Sequence, residues 1–180
     1  MKQALLAAAL VVLAGCSSTE AGSPAPPTQA DPIPAVQQPK DITGIAPCDL
    51  LTGEQLPSAG FDQPGGPEQF EEISGVPSCL WRDSADTRRL TAAAILDRDA
   101  LRNLYQYQRQ TYQVLELTEV AGHPAVRTQV LAGGTKCKFD VATAVGQSLE
   151  VAFTSYDGTP PCPEAERIAA LVIGNLPPAS

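Results

Sequence analysis

Residues 136–154 read KCKFDVATAVGQSLEVAFT, and their pattern indicates which class of fold the chain adopts. Apolar or small side chains occupy every second position on both sides of a glycine turn: Cys137, Phe139, Val141 and Thr143 before it, and Leu149, Val151 and Phe153 after it. A period of two places every second side chain on the same face of a strand. Two such runs, at 136–144 and 148–154, joined by a short glycine turn indicate an antiparallel hairpin with one buried face.

The segments around this hairpin extend the same architecture. Four more runs have strand-like composition, at 76–81, 89–96, 112–120 and 125–131. A short apolar turn is predicted at 46–51, and helices are predicted after Thr52, after Asp97 or Asp99, and from Pro163. The glycine- and proline-rich segment 57–74 is expected to be an exposed loop, either a lid or slack chain. We therefore predict an α+β domain with an antiparallel sheet of five or six strands, helices packed on one face, and two disulfides.

The start of the chain has the form of a bacterial lipoprotein signal. Lys2 precedes an apolar run over 4–13 that is too short to span a bilayer, which requires about 20 apolar residues. Leu13-Ala14-Gly15 then places small residues directly before Cys16. This order predicts a signal peptide over 1–15 and a diacylglycerol on the Cys16 thiol, with an ordinary signal peptide as the alternative.

The next segment, 17–40, is rich in Ser, Thr, Ala and Pro and offers little apolar surface to bury. Such a composition favours disorder, and its prolines favour extended polyproline II geometry. We therefore predict three regions: a signal peptide over 1–15, a lipidated and disordered stalk over 16–40, and one domain over 41–180. The stalk would give the domain reach from the membrane.

Four cysteines remain after Cys16: Cys48, Cys79, Cys137 and Cys162. An even number of cysteines in an oxidising compartment predicts two disulfides. Four cysteines allow three pairings, and the sequence does not choose among them. We prefer Cys48 with Cys79 and Cys137 with Cys162, because each bond would join a predicted helix to a predicted strand. A zinc site is the alternative, but Cys-x-x-Cys spacing does not occur, so we expect no metal.

The chain is acidic, with 20 Asp and Glu residues, 12 Lys and Arg residues and a formal net charge of −8. Its basic residues are scattered, with only Arg88 and Arg89 adjacent, so we expect no nucleic-acid partner. Anionic lipid headgroups would repel the domain as well. Membrane association must therefore come from the lipid anchor, to which each buried methylene contributes about 0.8 kcal/mol.

Motifs of the common enzyme classes do not occur in the sequence. The single histidine, His123, lies in a predicted hairpin turn, without a serine elbow or a metal-spaced cluster. The acidic pairs Asp97 with Asp99 and Glu71 with Glu72 are typical of a helix cap and of a solvated loop. We therefore expect no cofactor and assign no catalytic residue, and catalysis by acidic residues stays an alternative.

Two aromatic features admit a binding interpretation. Trp81 lies two residues after Cys79 on a predicted strand, where packing beside a disulfide is more typical than a ligand platform. Tyr105, Tyr107 and Tyr112 offer a stacking surface for sugars, although ordinary packing is again the more typical role. The sequence therefore assigns no ligand-binding residue.

Three features occur together in this chain: Pro47-Cys48-Asp49-Leu50-Leu51 after the stalk, Cys79-Leu80-Trp81, and Cys137 with Cys162 before a helix that ends at Leu176-Pro177. Over about residues 41–178, the combination resembles an actinobacterial family of cell-envelope lipoproteins of unknown function. The resemblance implies a small α+β domain and the disulfide pairing preferred above. It implies no activity and no functional residues, because the family has none assigned.

Two functions are therefore hypotheses. The first is a noncatalytic binding or accessory domain, lipid-anchored on the extracytoplasmic side of the cell membrane, whose partner is an envelope protein, lipid or glycan. The second is an envelope hydrolase that uses acidic residues on cell-wall glycan. A tether with reach and the lack of a catalytic motif in the sequence favour the first.

Overall fold

The fold was obtained as a computed structural model, which describes residues 31–69, 76–97 and 100–180. Its helices are a 3-10 helix at Pro47–Asp49, α1 at Leu56–Ala59, α2 at Ala100–Tyr107 and α3 at Pro161–Asn175. Its strands are β1 at Gly66–Gln69, β2 at Pro77–Arg82, β3 at Arg88–Ile95, β4 at Val114–Val120, β5 at His123–Gln129, β6 at Lys136–Ala144 and β7 at Gln147–Ser155. They form one antiparallel sheet in the order β1-β2-β3-β7-β6-β5-β4.

Strands β2 to β7 match the six segments that the sequence predicts, each end lying within two residues of its predicted position. In the hairpin of β6 and β7, Phe139 pairs with Val151 and Val141 pairs with Leu149. The alternating apolar residues of both strands therefore share one face, as their period of two requires.

The prediction of five or six strands is wrong by one strand, β1, which lies in the segment predicted as an exposed loop. Its sequence, Gly-Pro-Glu-Gln, has no strand pattern, but its backbone pairs with β2 and the Ser78 hydroxyl donates to the Glu68 carbonyl at 2.7 Å. A proline is tolerated there because β1 is an edge strand. Just before β1, Gly65 runs so close to Cys79 and Trp81 that a Cβ atom would lie 2.5 Å from each.

The face of the sheet that carries Phe139, Val141 and Val151 is called the α3 face, because α3 packs against it. Its core consists of aliphatic and aromatic side chains from β2, β3, β6 and β7, which contact Ile168, Val172 and other buried residues of α3. The sequence predicts this layer, because α3 continues the apolar stripe from Ile168 to Val172.

The opposite face is called the α2 face, because α2 packs there through Leu101 and Leu104 onto Val126. The prediction that the helices pack on one face is therefore wrong. The reason lies in β5, whose neighbouring residues Ala125 and Val126 point to opposite faces and are both fully buried. Each face of the sheet thus needs a helix to cover it.

Two disulfides tie helices to strands. Cys48 of the 3-10 helix is bonded to Cys79 of β2, and Cys162 of α3 is bonded to Cys137 of β6. This is the pairing preferred from the sequence. The bonds close loops with sequence separations of 31 and 25 residues, so each contributes about 3 to 4 kcal/mol by restricting the unfolded chain.

Residues 31–40, which the sequence assigns to the stalk, contact the domain. Ile33 packs beside α2, and Asp31 forms an ion pair with Arg102. Lys40 donates its backbone N–H to the Thr143 carbonyl at 2.8 Å and pairs with Pro178. The signal peptide over 1–15, Cys16 and stalk residues 17–30 lie outside the described residues.

Among the helices of the described ranges, none is both long and apolar enough to cross a membrane.

Candidate functional site

The candidate site lies in the middle of the α2 face. Neighbouring residues of a strand point to opposite faces, so the buried Phe139 leaves Lys138 and Asp140 on the α2 face. Cross-strand pairing sets Glu150 of β7 opposite Asp140 and Thr128 of β5 opposite Lys138. Polar side chains from three adjacent strands thus meet at one place.

Lys138 is the centre of a buried ionic cluster. Its Nζ lies 3.0 Å from Glu150 Oε2 and 3.1 Å from Asp140 Oδ2. Lys138 donates a hydrogen bond to Glu150 Oε2 and, at 3.5 Å, one to Asp140 Oδ1, whereas its contact with Asp140 Oδ2 is an ion pair without hydrogen-bond geometry. Both acidic residues are only 6 % exposed. Because desolvation offsets much of the attraction inside a protein, such a cluster is weak evidence for stability.

Burial and charge act against each other on the pKa values of this cluster. Burial by itself would lower the pKa of Lys138, but the negative charges of Asp140 and Glu150 outweigh it and raise that pKa. Burial raises the pKa of Asp140 to about 7. The positive charge of Lys138 lowers that pKa, whereas the neighbouring Glu150 raises it further. Burial therefore makes the Asp140 carboxyl easier to protonate than an exposed aspartate.

Two hydroxyl groups of the α2 face are buried without a partner. Within the described ranges, Thr128 Oγ1 and Ser148 Oγ have no hydrogen-bond partner, and Thr128 is only 1 % exposed. A buried polar group without a partner costs about 1 to 3 kcal/mol. An unpaired buried hydroxyl that also borders a cavity is therefore a candidate partner for a bound molecule.

A cavity of about 370 Å³ lies over the cluster. Thr128, Lys138 and Glu150 line it from the sheet, and its other lining residues are Thr111, Tyr112, Gln129, Val130, Leu131, Gly134, Thr135 and Lys136. More of its surface is apolar than polar. This volume and this mixture are typical of small-molecule sites, which enclose about 300 to 1,000 Å³ and carry a few polar groups among apolar ones.

Other hollows of the described structure carry their charged residues at the surface. One lies between segment 31–36 and α2, where Asp31 and Arg102 are each 41 % exposed. Another lies beside Trp81 and contains the exposed Asp49. Across the described ranges, no group of three or more His, Cys, Asp or Glu residues is arranged to hold a metal ion.

The cavity over Lys138 is better suited to binding than to acid–base chemistry on a sugar. Hydrolysis of a glycosidic bond uses two carboxyl groups on opposite sides of the bond. Glu150 lines the cavity, whereas Asp140 does not, and both contact the same ammonium group. The arrangement offers a ligand an apolar wall, several hydroxyl groups, the Glu150 carboxylate and two lysine side chains.

The chain matches one known protein family over most of its length. The model of DUF3558, described as a protein of unknown function, matches residues 11–175. The chain belongs to the DUF3558 family. No curated protein and no solved structure gives a significant match. The matched range contains both disulfides and every residue that lines the cavity.

Several residues that the sequence discusses lie away from the cavity of this DUF3558 domain. Trp81 is buried in the α3-face core with Cys79, which confirms its predicted packing role. His123 is not a turn residue as predicted, because Ala121 and Gly122 form the turn with φ angles of 49° and 78°. His123 instead starts β5, is buried, and its Nδ1 lies 2.9 Å from the Ala142 carbonyl oxygen.

The tyrosines separate into different roles. Tyr112 lines the cavity, whereas Tyr105 belongs to α2 and packs against its buried cluster, with the Arg109 guanidinium 4.5 Å from its ring centre. Tyr107 is exposed, so the structure does not bring the three tyrosines together into one stacking surface. The proposed helix cap Asp99 and the loop pair Glu71 and Glu72 lie outside the described residues.

The sequence did not predict the buried polar cluster at the cavity of this DUF3558 domain. The alternation in 136–144 assigns Lys138 and Asp140 to the face opposite the core, which suggests exposure to water. One signal was present in β7: Glu150 stands in the run Leu-Glu-Val-Ala-Phe, where apolar residues on both faces indicate burial on both sides.

Proposed function

We propose that this DUF3558 chain is a noncatalytic binding domain, tethered by a lipid on Cys16 to the extracytoplasmic side of an actinobacterial cell membrane. Its ligand site is the cavity over Lys138. The observation that carries the proposal is the buried Thr128 hydroxyl, which lacks a partner within the described residues and lines a cavity of about 370 Å³. Such a group gains a hydrogen bond when a ligand arrives.

The location rests on the sequence. Leu13-Ala14-Gly15 before Cys16 has the form of a lipid attachment site, and an even set of four further cysteines suits an oxidising exterior. The two disulfides of the fold agree with such a compartment. A domain held outside the membrane can meet an envelope protein, lipid or glycan.

Photocrosslinking in intact cells tests the binding site. A benzophenone amino acid at Leu131, which lines the cavity and is 61 % exposed, should form adducts with the bound molecule. The matched control is the same amino acid at Val145, which is 86 % exposed in the turn between β6 and β7. Equal adducts at both positions, or none at Leu131, would contradict the proposal.

Membrane fractionation tests the tether. Replacement of Cys16 by Ser removes the thiol that takes the lipid and should move the protein from the membrane fraction to the soluble fraction. The full chain with Cys16 intact is the control. A Cys16→Ser protein that stays with the membrane would show that another segment or a partner holds it.

An envelope hydrolase is the second candidate, favoured only by Glu150 at the cavity and by the raised pKa of Asp140 beside it. A carboxyl group with a pKa near neutrality is suited to act as a general acid. Turnover of cell-wall fragments by the full chain, abolished in Glu150→Gln, would establish this function in place of binding alone. We expect no turnover.

A further inference from the structure

The cavity on the α2 face has features that select a chemical class of ligand. It combines a floor of buried polar side chains with a wall of exposed apolar ones. The inference drawn from them rests on the proposed binding function and specifies what that site binds.

The charges at the floor are already paired with one another. Lys138 Nζ lies within 3.1 Å of both Asp140 and Glu150, so its positive charge faces two carboxyl groups. An anionic ligand would have to displace these carboxyl groups to reach Lys138. A cationic ligand would have to compete with Lys138 for Glu150. Lys136 also lines the cavity, but it is exposed, so water screens its charge. Ligands without a charge therefore avoid both obstacles at the floor.

The unpaired group at the floor is a hydroxyl. Thr128 Oγ1 can donate one hydrogen bond and accept others, so it matches a hydroxyl, an amide or an ester carbonyl. Thr128 is only 1 % exposed, so it does not lie on the rim of the cavity. A position on the rim therefore does not explain why its Oγ1 lacks a partner.

The wall of the cavity is apolar and open to water. Val130 and Leu131 follow β5 and are 58 % and 61 % exposed, and Tyr112 stands beside them. Apolar surface of this kind favours a partner that removes it from water. A ligand that reaches from Thr128 to Leu131 therefore needs a polar end and an apolar body.

We propose that the cavity binds an uncharged amphiphile, whose hydroxyl or carbonyl group pairs with Thr128 and whose alkyl chain lies along Val130 and Leu131.

Isothermal titration calorimetry with two ligands of equal chain length tests the class. The probes are 1-monolauroylglycerol, which is uncharged, and laurate, which carries a carboxylate, each below its critical micelle concentration. The protein is the full chain with Cys16→Ser, so that its own lipid is absent. We expect 1-monolauroylglycerol to bind at least about tenfold more tightly than laurate, a difference of about 1.4 kcal/mol.

A pair of threonine variants tests the position. Thr128→Val removes the unpaired hydroxyl and keeps the shape, so the fold stays intact while the affinity for 1-monolauroylglycerol falls about tenfold. Thr143→Val is the matched control, because Thr143 Oγ1 is also buried without a partner in the described ranges but does not line the cavity. The control should bind like the parent chain.

The outcomes separate this inference from the proposed function. Laurate binding as tightly as 1-monolauroylglycerol, or equal affinities of Thr128→Val and Thr143→Val, would overturn the inference. With adducts at Leu131 in cells, the proposed binding function would still stand. If neither probe binds and Leu131 forms no adduct, the proposed function fails together with the inference.

Discussion

The two faces of the sheet are built from the same strands, yet they bury opposite kinds of side chain. On β6, Phe139 and Val141 point towards α3, while Lys138 and Asp140 point to the α2 face. The α3 face gains stability from close apolar packing. The α2 face buries charges whose attraction hardly exceeds their cost of desolvation. The comparison indicates that the α3 face contributes more to the stability of the fold than the α2 face.

The largest effect is expected on the α3 face. Phe139→Ala should lower the free energy of unfolding by about 3 to 5 kcal/mol, because it removes a buried ring and leaves a cavity. Urea unfolding followed by circular dichroism measures it. Val145→Ala in an exposed turn is the control and should change the value by less than about 0.5 kcal/mol. A similar loss of unfolding free energy in both variants would contradict the assignment of Phe139 to the core and Val145 to the surface.

The pH dependence of stability gives the next effect, on the α2 face. The raised pKa of Asp140 means that the folded protein holds a proton that the unfolded chain releases between its ordinary value of 3.8 and about 7. The free energy of unfolding therefore falls as pH rises through this window. At about 1.4 kcal/mol per pKa unit, this amounts to at most about 4 kcal/mol.

Asp140→Asn removes the contribution of Asp140 to the pH dependence of stability, because an amide does not titrate. Urea unfolding from pH 4 to pH 7 should show a clearly smaller decline for the variant than for the parent chain. Asp157→Asn is a suitable control, since hydrogen bonds to Thr159 and Ser155 lower the pKa of Asp157 to about 2, below the window. An unchanged slope in Asp140→Asn would show that Asp140 is ionised in the folded protein.

Removal of the Lys138 ammonium group tests how far the stability of the α2 face depends on its buried charges. Lys138→Met leaves Asp140 and Glu150 without their counterion and should cost about 3 kcal/mol at pH 7, the lower end for a broken buried pair. At pH 4.5 protonation of the Asp140 carboxyl, whose pKa is raised, should reduce the cost. Lys136→Met, which removes a more exposed lysine from the same strand, is the control and should cost less than Lys138→Met. A cost that does not vary with pH would mean that Lys138 acts by packing alone.

The smallest effect is expected at α2. Leu104→Ala should cost about 2 kcal/mol, at the low end for a buried leucine, because α2 rests on a small cluster with Leu101 and Val126. Thermal unfolding measures the change, and Tyr107→Ala on the exposed side of α2 is the control. A loss as large as that of Phe139→Ala would show that both faces contribute equally to stability.

Much of the fold was predictable, because a strand with one buried face shows it in its alternation. The hairpin 136–154 gave strand positions, pairing and the α3 face together. Strand β1 was not predictable from Gly-Pro-Glu-Gln, since backbone pairing with β2 creates it without help from its side chains. The position of α2 was also missed, because β5 is apolar on both faces and its period of two is weak.

The candidate site was less predictable than the fold. Lys138 and Asp140 look like solvent-facing residues in the sequence, and their burial depends on what covers the other face of the sheet. Thr128 gives no local signal at all, because a threonine in a strand is ordinary. The cavity joins Tyr112 to Glu150 and Lys136, residues that only the strand order brings together.

By itself, the sequence determined the strands, the α3 core, the expectation of two disulfides and the form of a lipid attachment site, because these depend on local periodicity, cysteine number and residue order. The tertiary structure decided the seventh strand, the placement of helices on both faces, and the burial of Lys138, Asp140 and Glu150 beside an unpaired hydroxyl. These features depend on which side chains and strands become neighbours across the sheet, and neighbours far apart in the chain leave no local pattern.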